Sequence, residues 1–142
     1  MYKNSEGYSD PTAGIAMGRV MREYRQEQKE KLKRQDEIKN YPKIYVASKY
    51  AGATQTNVAN AIRYCRFVIK KRCMPIAGHL IYPQILNDEN PREREMGLMF
   101  GLALLAVCDE VWCFGEISQG MKMEITEAKR LGKKIRYFRE AV

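Results

Sequence analysis

Residues 108–129 read CDEVWCFGEISQGMKMEITEAK, and the parsing of this stretch decides the fold. Glu110–Phe114 (EVWCF) is a short apolar and aromatic run closed by a glycine, the pattern of a buried strand. Gly115–Gly120 supplies small and polar residues. Gly120–Leu131 then has the composition of a helix. A strand, a small-residue loop and a helix N-terminus make an anion site, because unpaired backbone N–H groups and the helix dipole converge on one place. Ser118 and Gly120 lie at that place, and Glu124, in the first turns of the helix, would face it.

Outward from this stretch, strands and helices alternate. Lys134–Phe138 (KIRYF) follows as another strand. On the N-terminal side, Asn90-Pro91 opens a helix that runs through Ala106, with Met96, Met99, Leu102, Ala103 and Ala106 at helical spacing. Met74–Ala77 reads as a short strand. Thr56–Lys71 is a helix, with Val58, Ala61, Ile62, Cys65, Val68 and Ile69 recurring on one face, and Lys43–Ala47 (KIYVA) is a strand. Such alternation implies parallel strands joined by right-handed crossovers. The expected fold is a small doubly wound α/β domain (flavodoxin- or Rossmann-like) with a parallel sheet of about four to five strands.

An N-terminal helical arm precedes this domain. Asp10-Pro11 is a good helix start, and residues 12–39 are helix-forming and charged, with sparse apolar positions. The residue before Pro42 is pushed out of helical geometry, which ends the arm. The expected division is a charged arm over residues 1–40 and an α/β domain over residues 41–142. The stripe of Ile15, Val20, Tyr24, Leu32 and Ile38 is too thin for a core helix, so the arm is either solvated or a docking surface.

The chain has 142 residues and a formal charge of +8. Residues 1–40 hold 9 Lys/Arg against 7 Asp/Glu, and residues 41–142 hold 16 against 10. A basic excess in the globular part suits anionic ligands. The basic residues form no stripe interleaved with aromatics, which argues against nucleic acid as the main partner. No apolar run is long enough to span a membrane, and the N-terminus (MYKNSEGYSDP) lacks the apolar segment of a signal peptide, so a cytoplasmic protein without membrane contact is expected. Cys65, Cys73, Cys108 and Cys113 lack metal-ligand spacing and His79 is the single histidine, so neither a metal site nor structural disulfides are expected.

In doubly wound sheets ligands bind beyond the carboxyl ends of the strands. The segments expected there are Ser48–Gly52, Gly78–Tyr82 and Gly115–Gly120. Glu124 is the sharpest feature. A carboxylate under an anomeric carbon can stabilise the oxocarbenium-like transition state of N-glycosidic cleavage, or attack to give a covalent intermediate. Its structural reading is an acidic residue placed favourably near a helix N-terminus. Tyr45 could orient that carboxylate or simply fill the core. Lys49 could clamp a phosphate or be a solvated charge, and Gly52 could admit a ligand or serve a turn. His79 could contact a base or be structural. Asn57 reads as a helix cap and Asp109 as structural. Among Asp88, Glu89, Glu93 and Glu95, one could reach the site as the acid that protonates a leaving base.

IYVASKYAG, CDEVWCFG and ISQGMKMEITEAKRLGKKI together resemble the nucleoside 2-deoxyribosyltransferase superfamily, including its 2′-deoxynucleoside 5′-phosphate N-hydrolase branch. The likeness covers about residues 43–138, and the S-x-G-x-x-x-E signature is its most specific part. The resemblance implies that Glu124 is the nucleophile, that Tyr45 positions it, and that Ser118 and Gly120 hold a phosphate. Ser48, Lys49, Gly52, His79 and Met121 are expected to complete the substrate-binding set. A serine at 118, where nucleoside transferases tend to carry aspartate, favours monophosphates, because an aspartate would repel the phosphate. The family's second acidic residue falls on the apolar run Leu98–Val107, so Glu95 is taken as the nearest candidate acid. The expectation is cleavage or transfer of the N-glycosidic bond of a nucleoside or nucleoside 5′-monophosphate, without a cofactor, by a homo-oligomer. The alternative is a non-catalytic nucleotide-binding module whose arm docks a partner.

Overall fold

The fold was read from a computed structural model, which describes residues 3, 5–7 and 10–142. The chain divides into two compact units, Met1–Asn40 and Tyr41–Val142. The first is built on one helix, α1 (Pro11–Lys39), whose N-cap Asp10 accepts from the Ala13 N–H. None of its residues is buried, and Ile15, Val20, Tyr24, Leu32 and Ile38 are all exposed.

The second unit runs β1 (Lys43–Ala47), α2 (Thr54–Lys70), β2 (Met74–Ile76), two 3-10 turns (Gly78–Leu80 and Tyr82–Gln84), α3 (Pro91–Ala106), β3 (Glu110–Phe114), α4 (Gln119–Arg130) and β4 (Lys134–Phe138). Its four strands are all parallel, in the order β2-β1-β3-β4. The chain therefore leaves β1 towards one edge and returns to the other side of β1 with β3. That reversal makes the β1/β3 boundary the topological switch point, where the loops after the two strands diverge and leave a crevice.

Strand alternation sorts the core into two layers. Ile44, Val46, Trp112 and Phe114 face α2, where Tyr64 and Val68 pack on them. Tyr45, Ala47, Val111 and Cys113 face α3 and α4, meeting Leu105, Met121, Ile125 and Ala128. The Tyr64 ring stacks on Phe114, with centroids 4.6 Å apart. This stacking turns α2 on its axis relative to the apolar face expected from the sequence: Tyr64 is buried, while Ile62 and Ile69 are exposed. On α3 only Leu105 is buried, and Met96 and Met99, expected on its core face, are exposed. From Met96 onward the helix is apolar almost all round, so its periodicity does not mark a face.

At the end of the sheet away from the crevice, Asp109 acts as a clip. Its carboxylate accepts from the Lys43 N–H at 2.7 Å, and its own N–H donates to the Lys43 carbonyl at 2.8 Å. Among the described residues, no helix is long and apolar enough to cross a membrane. All four cysteines are free thiols.

Candidate active site

Beyond the carboxyl ends of β1 and β3 lies a cavity of about 330 Å³. Loop residues Ser48 and Lys49 after β1, His79 in the first 3-10 turn, and Ser118 and Gly120 at the start of α4 line it. Tyr45, Met121 and Glu124 complete the wall. The cavity thus brings together eight of the ten residues singled out from the sequence. Gly52 and Glu95 are outside it.

Gly52 serves the turn into α2 instead. It adopts φ +96°, open to glycine but costly for other residues, and its carbonyl accepts from the Thr54 N–H. Glu95 is exposed because of helix geometry. Glu93, Gly97 and Gly101 recur at i, i+4 and i+8 along the cavity side of α3. A residue two positions from Glu93 points about 200° away from that side. Besides Glu124, the acids that line the cavity are Asp88 and Glu93, accompanied by Arg94.

Glu124 reaches the cavity from one and a half turns inside α4, on the same sheet face as Tyr45. The Tyr45 hydroxyl faces the Glu124 carboxylate closely enough for the two to interact, with the hydroxyl as the donor. Glu124 Oε2 is buried and has no hydrogen-bond partner among the described residues. A buried oxygen without a partner is costly and is rarely tolerated without a role. Burial lifts the Glu124 carboxyl to about 7, and the Tyr45 hydroxyl opposes this only in part. Burial, reinforced by the Glu124 charge, raises Tyr45, so its hydroxyl stays a donor. The same carboxylate adds to the burial that pushes the Cys113 thiol up to about 12.

On the opposite wall the Ser48 hydroxyl and His79 Nε2 are hydrogen-bonded at 3.0 Å. Burial depresses His79 to about 4, so the ring is neutral at physiological pH. The Tyr50 ring meets it in an edge-type contact, with centroids 6.4 Å apart. The loop carrying Lys49 and Tyr50 is tied back by Asn57, whose side-chain amide donates to the carbonyls of Tyr50 and Ala51 at 3.0 and 3.1 Å. Asn57 therefore braces the loop and is not the cap of α2, which begins at Thr54.

At α4, Ser118 is the N-cap: its hydroxyl oxygen accepts from the Met121 N–H at 3.3 Å. The Ser118 N–H in turn lies 3.5 Å from the Met121 sulfur. Ser118 still has a hydroxyl proton to donate, and the backbone N–H groups of Gln119 and Gly120 belong to the first turn, which no intrahelical bond satisfies. An acceptor-rich anion suits that corner. Among the described residues, no group of three or more His, Cys, Asp or Glu side chains is arranged to hold a metal.

Two features of the cavity were not singled out from the sequence. The Ser48–His79 pairing joins residues 31 apart, so only the fold reveals it. Gly101, inside the apolar run Leu98–Val107, lies against the Tyr45 hydroxyl. Its signal was a glycine in the interior of a helix, where alanine would be the better helix former.

Fold and site define the class: a small doubly wound α/β domain with a tyrosine-supported carboxylate at its switch point. The chain belongs to the family described as "Domain of unknown function (DUF7768)", which matches residues 42–138. Among solved structures, it is similar to a 2-deoxyribosyltransferase from the psychrotolerant bacterium Bacillus psychrosaccharolyticus. The two share 18% identity and a TM-score of 0.53, over 68% of this chain and 72% of that one. The likeness is one of fold. No curated protein matches the chain.

Proposed function

We propose that the domain cleaves or transfers the N-glycosidic bond of a nucleoside or nucleoside 5′-monophosphate, with Glu124 as nucleophile. The observation that carries this reading is a cavity-facing carboxylate held by one tyrosine hydroxyl, with its second oxygen unpartnered. The relative's fold and the sequence signature S-x-G-x-x-x-E support it further.

In this mechanism the ionised Glu124 attacks C1′ of the sugar. The C1′–N bond breaks with its electron pair on the base, and a proton is added to the base. An ester joins the sugar to Glu124. Water, or a second base, then attacks C1′ and frees the carboxylate. Tyr45 holds the attacking oxygen in place. Asp88 or Glu93 protonates the departing base, since both line the cavity where Glu95 does not. Ser118, Gly120 and Lys49 take the 5′-phosphate, while Ser48, His79 and Met121 contact the nucleoside. The assembly works as a homo-oligomer.

The test is chromatography of ribo- and deoxynucleosides and their 5′-monophosphates, incubated with wild type and Glu124→Gln, with and without an acceptor base. Base release that falls by at least about three orders of magnitude in Glu124→Gln is expected. A new nucleoside formed with the acceptor identifies a transferase. Undiminished release by Glu124→Gln removes Glu124 from the mechanism.

A second reading rests on α1, whose apolar residues are exposed along 29 helical residues. Here the domain binds a nucleotide without turnover and the arm docks a partner. Thermal stabilisation by a monophosphate without base release supports it, together with loss of partner binding on deletion of residues 1–40.

A further inference from the structure

Gly101 occupies the interior of α3, where a glycine weakens the helix relative to alanine. Space alone explains what keeps a side chain out. A Cβ built on Gly101 meets one atom within 4 Å, the Tyr45 hydroxyl oxygen, at 3.3 Å. That separation is closer than ordinary van der Waals contact, so the hydroxyl would have to yield. Tyr45 is 2% exposed and its ring is held in the core against α3 and α4, which leaves the hydroxyl little room to move. Gly78 approaches the same hydroxyl from the 3-10 turn, with its built Cβ 3.6 Å from the oxygen and 3.4 Å from the Gly101 Cα. The hydroxyl therefore sits in a slot walled by two glycines and opening on Glu124.

We propose that Gly101 is a positioning residue for the reaction, its missing side chain leaving the Tyr45 hydroxyl free to reach and hold Glu124. This rests on the reading of Glu124 as the reacting carboxylate. No atom of Glu124 lies within 4 Å of the Cβ built on Gly101, so Gly101 acts through Tyr45. The helix gives up stability at this position so that the hydrogen bond can form.

The test compares wild type, Gly101→Ala, Tyr45→Phe and the double variant by two measurements, neither of which needs turnover. One is the carboxyl 13C NMR titration of Glu124, assigned with Glu124→Gln. Tyr45→Phe should raise the titration midpoint by about one pH unit, because the lost hydrogen bond favours the ionised form. Gly101→Ala should move it the same way, and the double variant no further than Tyr45→Phe alone. The other measurement is the melting temperature. Alanine at 101 should lower it beside Tyr45, yet raise it by about 3 °C in the Tyr45→Phe protein, where the crowded atom is gone and helix propensity decides.

An unchanged midpoint in Tyr45→Phe or Gly101→Ala overturns the proposal. So does a further rise in the double variant, or alanine shifting the melting temperature alike in both backgrounds. Should Gly101→Ala alone fail to fold, a folded double variant still upholds the proposal and an unfolded one overturns it. Absence of base release by wild type would retire the glycosidase reading while leaving the titration and melting results to decide the role of Gly101.

Discussion

Glu124 binds its proton more tightly in the folded chain than out of it, with a carboxyl at about 7 against an ordinary value of 4.5. A raised pKa means that the associated stability is fully present below pH 4.5 and is lost as pH rises through 7. Above that pH the ionised carboxylate costs the fold up to about 3 kcal/mol. Glu124→Gln should therefore melt at a higher temperature than wild type at pH 8, with the gap closing by pH 5. Calorimetry across that range checks it, and a wild type that outlasts the variant at pH 8 would contradict a burial-driven shift. In the proposed reaction Glu124 must be ionised to attack, so kcat/KM should rise with pH through about 7, opposite to the trend in stability. Tyr45→Phe removes one hydrogen bond to a charged group, worth about 1.5–3 kcal/mol. Steady-state kinetics should show base release slowed by roughly 10- to 100-fold. Loss no larger than twofold would confine Tyr45 to a packing role.

At the scale of elements, the loop after β1 depends on Asn57 in α2. Asn57→Ala leaves the Tyr50 and Ala51 carbonyls without their side-chain donor. The cost is about 1 kcal/mol, or roughly 3 °C in melting temperature. Because this loop carries Lys49 and Tyr50 into the cavity, KM should suffer more than kcat, and a kcat-only effect would argue against loop bracing. Asn57 illustrates what the sequence could and could not reveal. Strands β1 and β3 stand where their β-rich runs placed them, because a strand buried on both faces announces itself by composition; the edge strand β4, with no buried residue, still shows as the β-rich run KIRYF. Helix faces were harder to read. On α2 the aliphatic periodicity does not mark the buried face, because the position that packs on the sheet is Tyr64, whose ring stacks on Phe114. On α3 apolar residues surround the helix and the informative positions are its glycines. Ser48, Lys49, His79, Ser118, Gly120 and Glu124 were legible because ligand sites in such sheets follow the strand ends. Distances along the chain hid the Ser48–His79 bond. Glu95 was placed by its proximity in sequence, whereas the helix rotation that turns Glu93 inward turns Glu95 out.

At the scale of the whole molecule, the two core clusters are built from residues 44 onward, and every residue lining the cavity lies between Tyr45 and Glu124. A chain of residues 41–142 therefore carries its own core, sheet and site. It should melt as one cooperative transition and keep the nucleotide response of the full chain. The arm contributes 29 helical residues with none buried, and isolated charged helices of that kind draw little stability from propensity alone. Base release by residues 41–142 is expected within about threefold of the full chain, because less than about 0.7 kcal/mol of transition-state stabilisation would then come from the arm. Parallel assays of both chains at 50 and 200 mM salt add a control on charge, since a contribution from the basic residues of α1 to anion capture would be screened. Turnover lost in a fragment that still melts cooperatively would give the arm a part in the site itself. Turnover retained, with a partner bound only by the full chain, would assign chemistry to the domain and recognition to the helix.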